Sequence, residues 1–441
     1  MTTRSPERRE PDRHRRSLTH VGGETRRRGD STACERIAHA LDVASSIASS
    51  DDAERDARAH VHGFHTYPAR MHPTTARRLV EGFSAAGDSV LDPFCGSGTV
   101  LVEARLLGRR AFGSDINPLA VRLAKRKTTP LRPNEGEALL AAAGRIAELA
   151  NTRRAARAGA SHRYGSADTT AFDPHVLLEL DSLRMGLDAE PDEDLRATLE
   201  LVLSSILVKL SRARGDTASG ERPTRIAAGY PARLFEKKTR ELVERLGAFT
   251  DGVATLAAQP REARVFVGDA RLLEPIGDSS IDLVVTSPPY PGVYDYVEHH
   301  RLRLRWLGLG ASAFTRRELG SRRDAAGIGE EEARATFEAQ LDAAVLAMAR
   351  VLRPGGRALV ILGDGSFGRE AVRADELLAD AAERANLEPA AIVSQPRPHF
   401  HGPTQQAFRD RPREEHCGML TKSSATHATR AHHAPRRGPH R

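Results

Sequence analysis

The chain has 441 residues, 39% hydrophobic content and a formal net charge of +7, enough length for one large core or two. No segment approaches the roughly 18 uninterrupted apolar residues of a membrane span, and no apolar run follows the basic N-terminal residues, so neither insertion nor export is expected. The three cysteines, Cys34, Cys95 and Cys417, contain no CxxC pair, which argues against a disulfide framework or thiolate zinc site and fits a reducing cytoplasm.

In chain order, residues 1–35 read as a basic, disordered tail: positions 1 to 30 hold nine Arg against five acids. A counterpart occupies 423–441, with four Arg and no acid. Together the tails exceed the whole chain's excess of positive charge, so the body between them is close to neutral. The tails suit either salt-dependent phosphate attraction or plain solvation. The body begins with residues 36–129. His60, His62, His65 and His72 lie close together there but lack the carboxylate or Cys partners of a typical site, so no metal is expected.

Residues 89 to 118 read as strand, glycine loop, helix and strand. Gly96 and Gly98 let the backbone approach a ligand, and a helix starting near Thr99 points its free N–H groups at it. Val100, Leu101, Ala104 and Leu107 share one helical face, and Gly108 is placed to end the helix. Asp115 follows Asp92 at close to the spacing at which a second-strand carboxylate reaches ribose hydroxyls.

Residues 130–260 form a mainly helical insertion, since Leu195, Leu199, Leu203, Ile206, Leu207 and Leu210 repeat at helical spacing. Its polar break, Ser211 to Tyr230, carries Arg212 and Arg214 among glycines and suits either phosphate contact or a solvated connection.

In residues 261–422 the apolar run Ile281 to Val285 ends in Thr286-Ser287-Pro288-Pro289-Tyr290. Two prolines remove two donors and stop the strand, presenting the last carbonyls and the Ser287 hydroxyl outward. Acceptors without competing donors suit an exocyclic amino group, and the Tyr290 ring suits stacking on a planar base. Beyond it, Tyr294, Tyr296, Arg301 and Arg303 interleave aromatics with cations, a mixture that tracks nucleic acid or, given the leucines in the same run, half faces the core. Arg397 to His401 and Arg413 to Lys422 suggest a closing antiparallel pair of strands.

Together these segments resemble the amino-group DNA methyltransferases, which methylate cytosine N4 or adenine N6 using S-adenosylmethionine. Asp92-Pro93-Phe94-Cys95-Gly96-Ser97-Gly98, with Thr99, matches the family's cofactor loop, and Ser287-Pro288-Pro289-Tyr290 its catalytic tetrad. Tyr67-Pro68-Ala69 resembles the N-terminal cofactor motif. Asp115 and Asn117 fall in the second cofactor motif, and Asp269, in Val267-Gly268-Asp269-Ala270, resembles the carboxylate that meets the cofactor's adenine. Arg353-Pro354-Gly355-Gly356 and the strand after it resemble the turn and fifth strand of the fold. The resemblance implies a Rossmann-like, doubly wound, mostly parallel α/β sheet of the class I methyltransferase kind, with DNA as partner. It also admits a companion restriction endonuclease, and it makes the insertion a candidate target-recognition region.

The expected chemistry follows from the amine. Its lone pair is delocalised into the ring, so the site must accept both amino protons, through Ser287 Oγ and the Pro288 carbonyl, and aim the lone pair at an activated methyl. A duplex base must first be flipped out, and Tyr290 would clamp it. In the family, serine at the first tetrad position goes mostly with cytosine N4, which is favoured here over adenine N6. Cytosine C5 chemistry through Cys95 is disfavoured because a nucleophile in the cofactor loop would not face the base. A tRNA guanine-N2 methyltransferase and a non-catalytic nucleic-acid-binding protein remain as rival readings.

Overall fold

Period-two alternation builds the centre of the molecule. In the strand Ser89–Asp92, Val90 faces one side and Leu91 the other; Leu283 and Val285 oppose Val284, and Leu359 and Ile361 oppose Ala358, Val360 and Leu362. Strands that are apolar on both faces must be covered on both faces, as parallel sheets are. The computed structural model describes residues 24–43, 57–213, 225–256, 262–293, 295–310, 318–320, 327–397 and 406–424.

Among these residues the strands are β1 (Arg26–Gly29), β2 (Ser89–Asp92), β3 (Arg110–Asp115), β4 (Arg264–Val267), β5 (Ile281–Thr286), β6 (Leu352–Gly363), β7 (Gly365–Phe367), β8 (Glu370–Val372), β9 (Leu387–Pro396) and β10 (Glu414–Lys422). An eight-stranded sheet runs β1-β9-β10-β6-β5-β2-β3-β4, and β7 and β8 form a small hairpin. The pairings from β6 through β5, β2 and β3 to β4 are parallel, whereas β10 is antiparallel to both β6 and β9, and β1 is antiparallel to β9. Chain order reverses between β2 and β5, which opens a crevice at their C-terminal ends.

Helices α1 (Ser31–Leu41), α2 (Pro73–Phe83) and α3 (Thr99–Leu106) cover one face, joining Val90, Leu283, Val285 and Leu359 in one apolar cluster. The segment Pro118–Thr128 is α4, which Asn117 caps by accepting the Leu119 N–H, with Pro118 in the first turn. The insertion then supplies α5 (Glu135–Ala155), α6 (Ser166–Ala171), α7 (Pro174–Asp188), α8 (Glu193–Leu210) and α9 (Tyr230–Ala254). After β5 comes α10 (Tyr296–Trp306), then α11 (Glu330–Val351) and, beyond β6 to β8, α12 (Ala374–Arg384), the last two covering the other face with Leu91, Val284 and Val360.

The insertion is helical as expected, yet it is not an appendage. Leu199, Leu203, Ile206, Leu207 and Leu210 of α8 share one buried cluster with Val102 of α3, Leu119 and Leu123 of α4, and Leu304 and Trp306 of α10. Each such side chain is worth about 1.5–3 kcal/mol when buried, so the insertion is bonded to the sheet's helices by the same apolar surface that folds it.

The expected tail boundary at residue 35 falls too late. Arg26–Gly29 is an edge strand paired with Ile392 to Ser394 and Ala391, and Ala33, Cys34 and Ile37 of α1 are buried. Consecutive arginines look like solvated tail in sequence, but here Arg28 donates to Asp375 at 2.8 Å and Arg26 pairs with Glu414. Residues 1–23 and 425–441 lie outside the described residues. The closing strand β10 lies where expected; its antiparallel partner β9 ends at Pro396, before Arg397, and residues 398–405 are outside the description. No helix among the described residues is long and apolar enough to cross a membrane.

Candidate active site

The crevice between β2 and β5 is a cleft lined on one side by Asp92, Pro93, Phe94, Gly96, Thr99, Asp115 and Asp269 and on the other by Ser287 and Pro289. Tyr67 and Pro68 line it as well. Residues nearly 200 positions apart in sequence therefore meet because adjacent parallel strands end side by side. Thr286 fastens the junction: its hydroxyl donates to Asp92 Oδ1 at 2.6 Å.

The glycine loop requires its glycines. Gly96 has φ +47° and Gly98 φ +85°, and a Cβ on Gly96 would stand 3.2 Å from the Tyr67 ring. A Cβ on Gly98 would stand 2.9 Å from Ala124 Cβ. Gly98 lies behind the wall rather than in it, capping α3 so that the helix's first N–H groups face the loop. Asn117 also works from behind: buried, it donates from Nδ2 to the Tyr67 hydroxyl at 3.2 Å. Tyr67 in turn stacks on His300, with ring centroids 4.6 Å apart.

Burial dominates the electrostatics. It raises Asp92 to about 7 and Asp115 to about 6, even though Asp92 accepts from Thr286 and Phe94 and Asp115 from the backbone N–H groups of Asn117 and Gly96. Asp269 is held in a fork by Arg271, whose Nη2 donates at 2.6 Å. Burial, then the Asp115 and Asp92 carboxylates, push the Cys95 thiol well up, away from a thiolate nucleophile.

The tetrad divides between wall and support. Ser287 and Pro289 line the cleft; Pro288 and Tyr290 do not. The Tyr290 ring lies against Gly363, where a Cβ would come within 2.5 Å of it, and its hydroxyl donates to Glu415 at 2.6 Å.

The residues expected to contact nucleic acid scatter. Arg303 is fully buried, bonding the Ser204 carbonyl and the Thr66 hydroxyl, and so is not a backbone-contacting side chain. That corrects the expectation, and the reason is the helix: Val297, His300, Arg303 and Leu304 share the inward face of α10. Arg301 is exposed beside Glu298, and Arg212 pairs with Asp173 at 3.1 Å. Tyr296 lines the cleft. Tyr294 and Arg214 lie outside the described residues.

Sequence reasoning did not single out Arg271, Glu318 and Leu319, which also line the cleft with Arg70 and Met71. Arg70 and Met71 continue the run begun by Tyr67; nothing local marks Glu318, whose carboxylate accepts the Tyr296 N–H at 2.6 Å. Of the four histidines considered for a metal, His62 binds Glu103, His65 binds Ser204 and His72 caps α2. Among the described residues Asp364, Asp375 and His416 come close together, but Arg373 and Arg411 already bond the two carboxylates.

A sheet reversed at β2/β5, with antiparallel β10 inserted between β6 and β9, is the Rossmann-like sheet of class I methyltransferases. Residues 25–126 match the DNA methylase family. The type II methyltransferase M.MvaI of Kocuria varians is 27% identical over 269 residues, covering 56% of this chain and 58% of that protein. M.BsoBI of Geobacillus stearothermophilus is 26% identical over 276 residues, 56% of this chain and 53% of it. A tRNA (guanine(10)-N2)-dimethyltransferase of Methanothermobacter thermautotrophicus is 48% identical over 62 residues, 14% of this chain and 18% of its own. These matches support an amino-group DNA methyltransferase family for the chain, which spans little more than half the length of the two type II relatives.

Proposed function

We propose that the protein is a site-specific DNA methyltransferase that transfers a methyl group from S-adenosylmethionine to the exocyclic amino group of a flipped base, cytosine N4. The observation that carries this reading is the shared cleft: Ser287 and Pro289 face the glycine loop and Asp115 across one opening. The residues fit the cofactor. Gly96 leaves room beside Tyr67 that a Cβ would fill, and two buried carboxyls with raised pKa gain from a cationic ligand. When bound, the cofactor supplies a sulfonium-activated methyl. Ser287 accepts an amino proton of the base, and the strand end holds that amine in line.

Serine at position 287 supports cytosine over adenine through the family correlation alone. The DNA methylase match supports DNA as substrate, and a companion restriction endonuclease and a cytoplasmic location are part of the same proposal. The short tRNA methyltransferase match makes bulk tRNA the necessary comparison. Labelled methyl transfer to duplex DNA and to tRNA, followed by digestion to nucleosides, is expected to give N4-methylcytosine from DNA and no labelled tRNA. N6-methyladenine would overturn the base assignment, and N2-methylguanine in tRNA the whole reading.

The raised carboxyls give a pH dependence. With folded values near 7 and 6 against an ordinary 3.8, Asp92 and Asp115 hold protons in the free protein at acid pH, and their contribution to stability is lost as pH rises from about 4 to about 7. A cation favours the ionised forms, so binding releases protons. S-adenosylmethionine affinity, read by calorimetry, is expected to tighten about tenfold from pH 5.5 to 7.5, and Asp92→Asn to flatten most of that slope. A flat wild-type profile would show that the cofactor's charges lie elsewhere.

A further inference from the structure

We propose that His300 and Arg303 of α10 are positioning residues for S-adenosylmethionine, holding the cleft-wall residue Tyr67 from behind, an inference that rests on the methyltransferase reading above. Residues four apart on a helix project from one face, so Tyr296 and His300 point the same way and Arg303 follows a turn later. Tyr296 lines the cleft itself, whereas His300 and Arg303 are fully buried. The helix that follows the catalytic tetrad thus reaches behind the cofactor's half of the site.

The His300 ring works through its face. Its two nitrogens are buried with no hydrogen-bond partner among the described residues, and the ring stacks on that of Tyr67, centroids 4.6 Å apart and planes 26° from parallel. Burial, then the Arg303 charge, hold the imidazole well below its ordinary pKa, so the plate is neutral. Tyr67 is seated between other fixed groups as well. Asn117 Nδ2 donates to its hydroxyl at 3.2 Å, and a Cβ on Gly96 would stand 3.2 Å from its ring. Without the plate, the ring is free to fall back from the cleft it lines.

Arg303 braces the residue before Tyr67. Its Nη2 donates to the Thr66 hydroxyl at 3.1 Å, across 237 positions of sequence, and its Nε to the Ser204 carbonyl at 3.4 Å. His65 closes the same node. Its Nδ1 lies 2.8 Å from the Thr66 carbonyl and therefore donates, which leaves Nε2 to accept the Ser204 hydroxyl at 3.0 Å. Ser204 belongs to α8, so the cofactor wall is anchored in the insertion and in α10 together. None of these supports lines the cleft; each acts through Tyr67.

The test is calorimetric titration of the full chain with S-adenosylhomocysteine, beside steady-state methyl transfer to genomic DNA. His300→Ala is expected to weaken binding about tenfold and to raise the S-adenosylmethionine KM alike, with kcat at saturating cofactor within about threefold of wild type. His300→Phe keeps a flat ring in place and is expected to restore affinity to within about threefold. Tyr67→Ala is expected to weaken binding by about tenfold or more. In that background His300→Ala should cost less than about twofold further, because the plate has nothing left to hold. Thr66→Val, which removes the hydroxyl that Arg303 grips, is expected to raise the cofactor KM about fivefold. The proposal is overturned by wild-type affinity in His300→Ala or Tyr67→Ala, or by a His300→Phe loss as large as that of His300→Ala. A kcat loss that saturating cofactor does not restore, or an undiminished His300→Ala loss in the Tyr67→Ala background, overturns it equally. Should His300→Ala fail to fold, Thr66→Val decides, and an unchanged cofactor KM there ends the proposal. A wild-type chain that binds no S-adenosylhomocysteine and methylates no DNA sinks the methyltransferase reading instead.

Discussion

Ser287→Ala is expected to leave S-adenosylmethionine binding within about twofold and to lower methyl transfer by about a hundredfold or more, the loss typical when one preorganised polar partner of a transition state is removed. The asymmetry follows from position. Ser287 stands on the β5 side of the cleft, whereas the buried carboxyls and the glycine loop stand on the β2 and β3 side. Alanine removes the hydroxyl without touching the strand's pairing with β2 and β6. Single-turnover kinetics beside calorimetry reads both quantities, and an equal loss of each would place Ser287 in the cofactor's half of the site.

Gly98→Ala is expected to fail in the opposite way, losing the cofactor site and about 2–4 kcal/mol of stability together. Gly98 sits at φ +85°, a backbone state that costs an L-residue roughly 1–2 kcal/mol. Its added methyl would meet Ala124 Cβ at 2.9 Å and Ala124 Cα at 3.0 Å, and backbone cannot swing aside as a long side chain can. α3 and α4 would have to part, dragging the loop that holds Gly96. Gly144, inside α5 with nothing near its missing Cβ, is the control: Gly144→Ala is expected to stabilise by up to about 1 kcal/mol. Chemical denaturation of the two variants checks both signs, and a Gly98→Ala protein as stable as wild type would show that this helix pair is not tightly seated.

What the sequence discloses about the cleft is what lies within one strand-loop-helix stretch. Asp92 to Asp115 and Thr286 to Tyr290 each carry their own geometry in proline, glycine and apolar spacing, so both halves of the wall are legible before folding. Their partners are not. Glu415 reaches Tyr290 from β10, 125 positions away, and Asp375 and Glu414 neutralise arginines of β1 nearly 350 and 390 positions earlier. Arg303 marks a different failure. Helical spacing already put it on the face of Val297, His300 and Leu304, but its two partners come from Thr66 and Ser204, and without them a buried guanidinium is an implausible expectation. The start of the folded body was missed for a like reason, since an edge strand of arginines shows neither alternation nor β-branched residues.

The pairing of β1 with β9 also shapes how the molecule is assembled. Residues 26–29 hydrogen-bond with 391–394, so this strand has no ladder to join until the segment at 391–394 has been made. Loop closure on that scale is slow and comes late. Four residues and three positive charges are a poor template for stray strand pairing in the interval, so the arginines that tie down the finished edge also guard the waiting one.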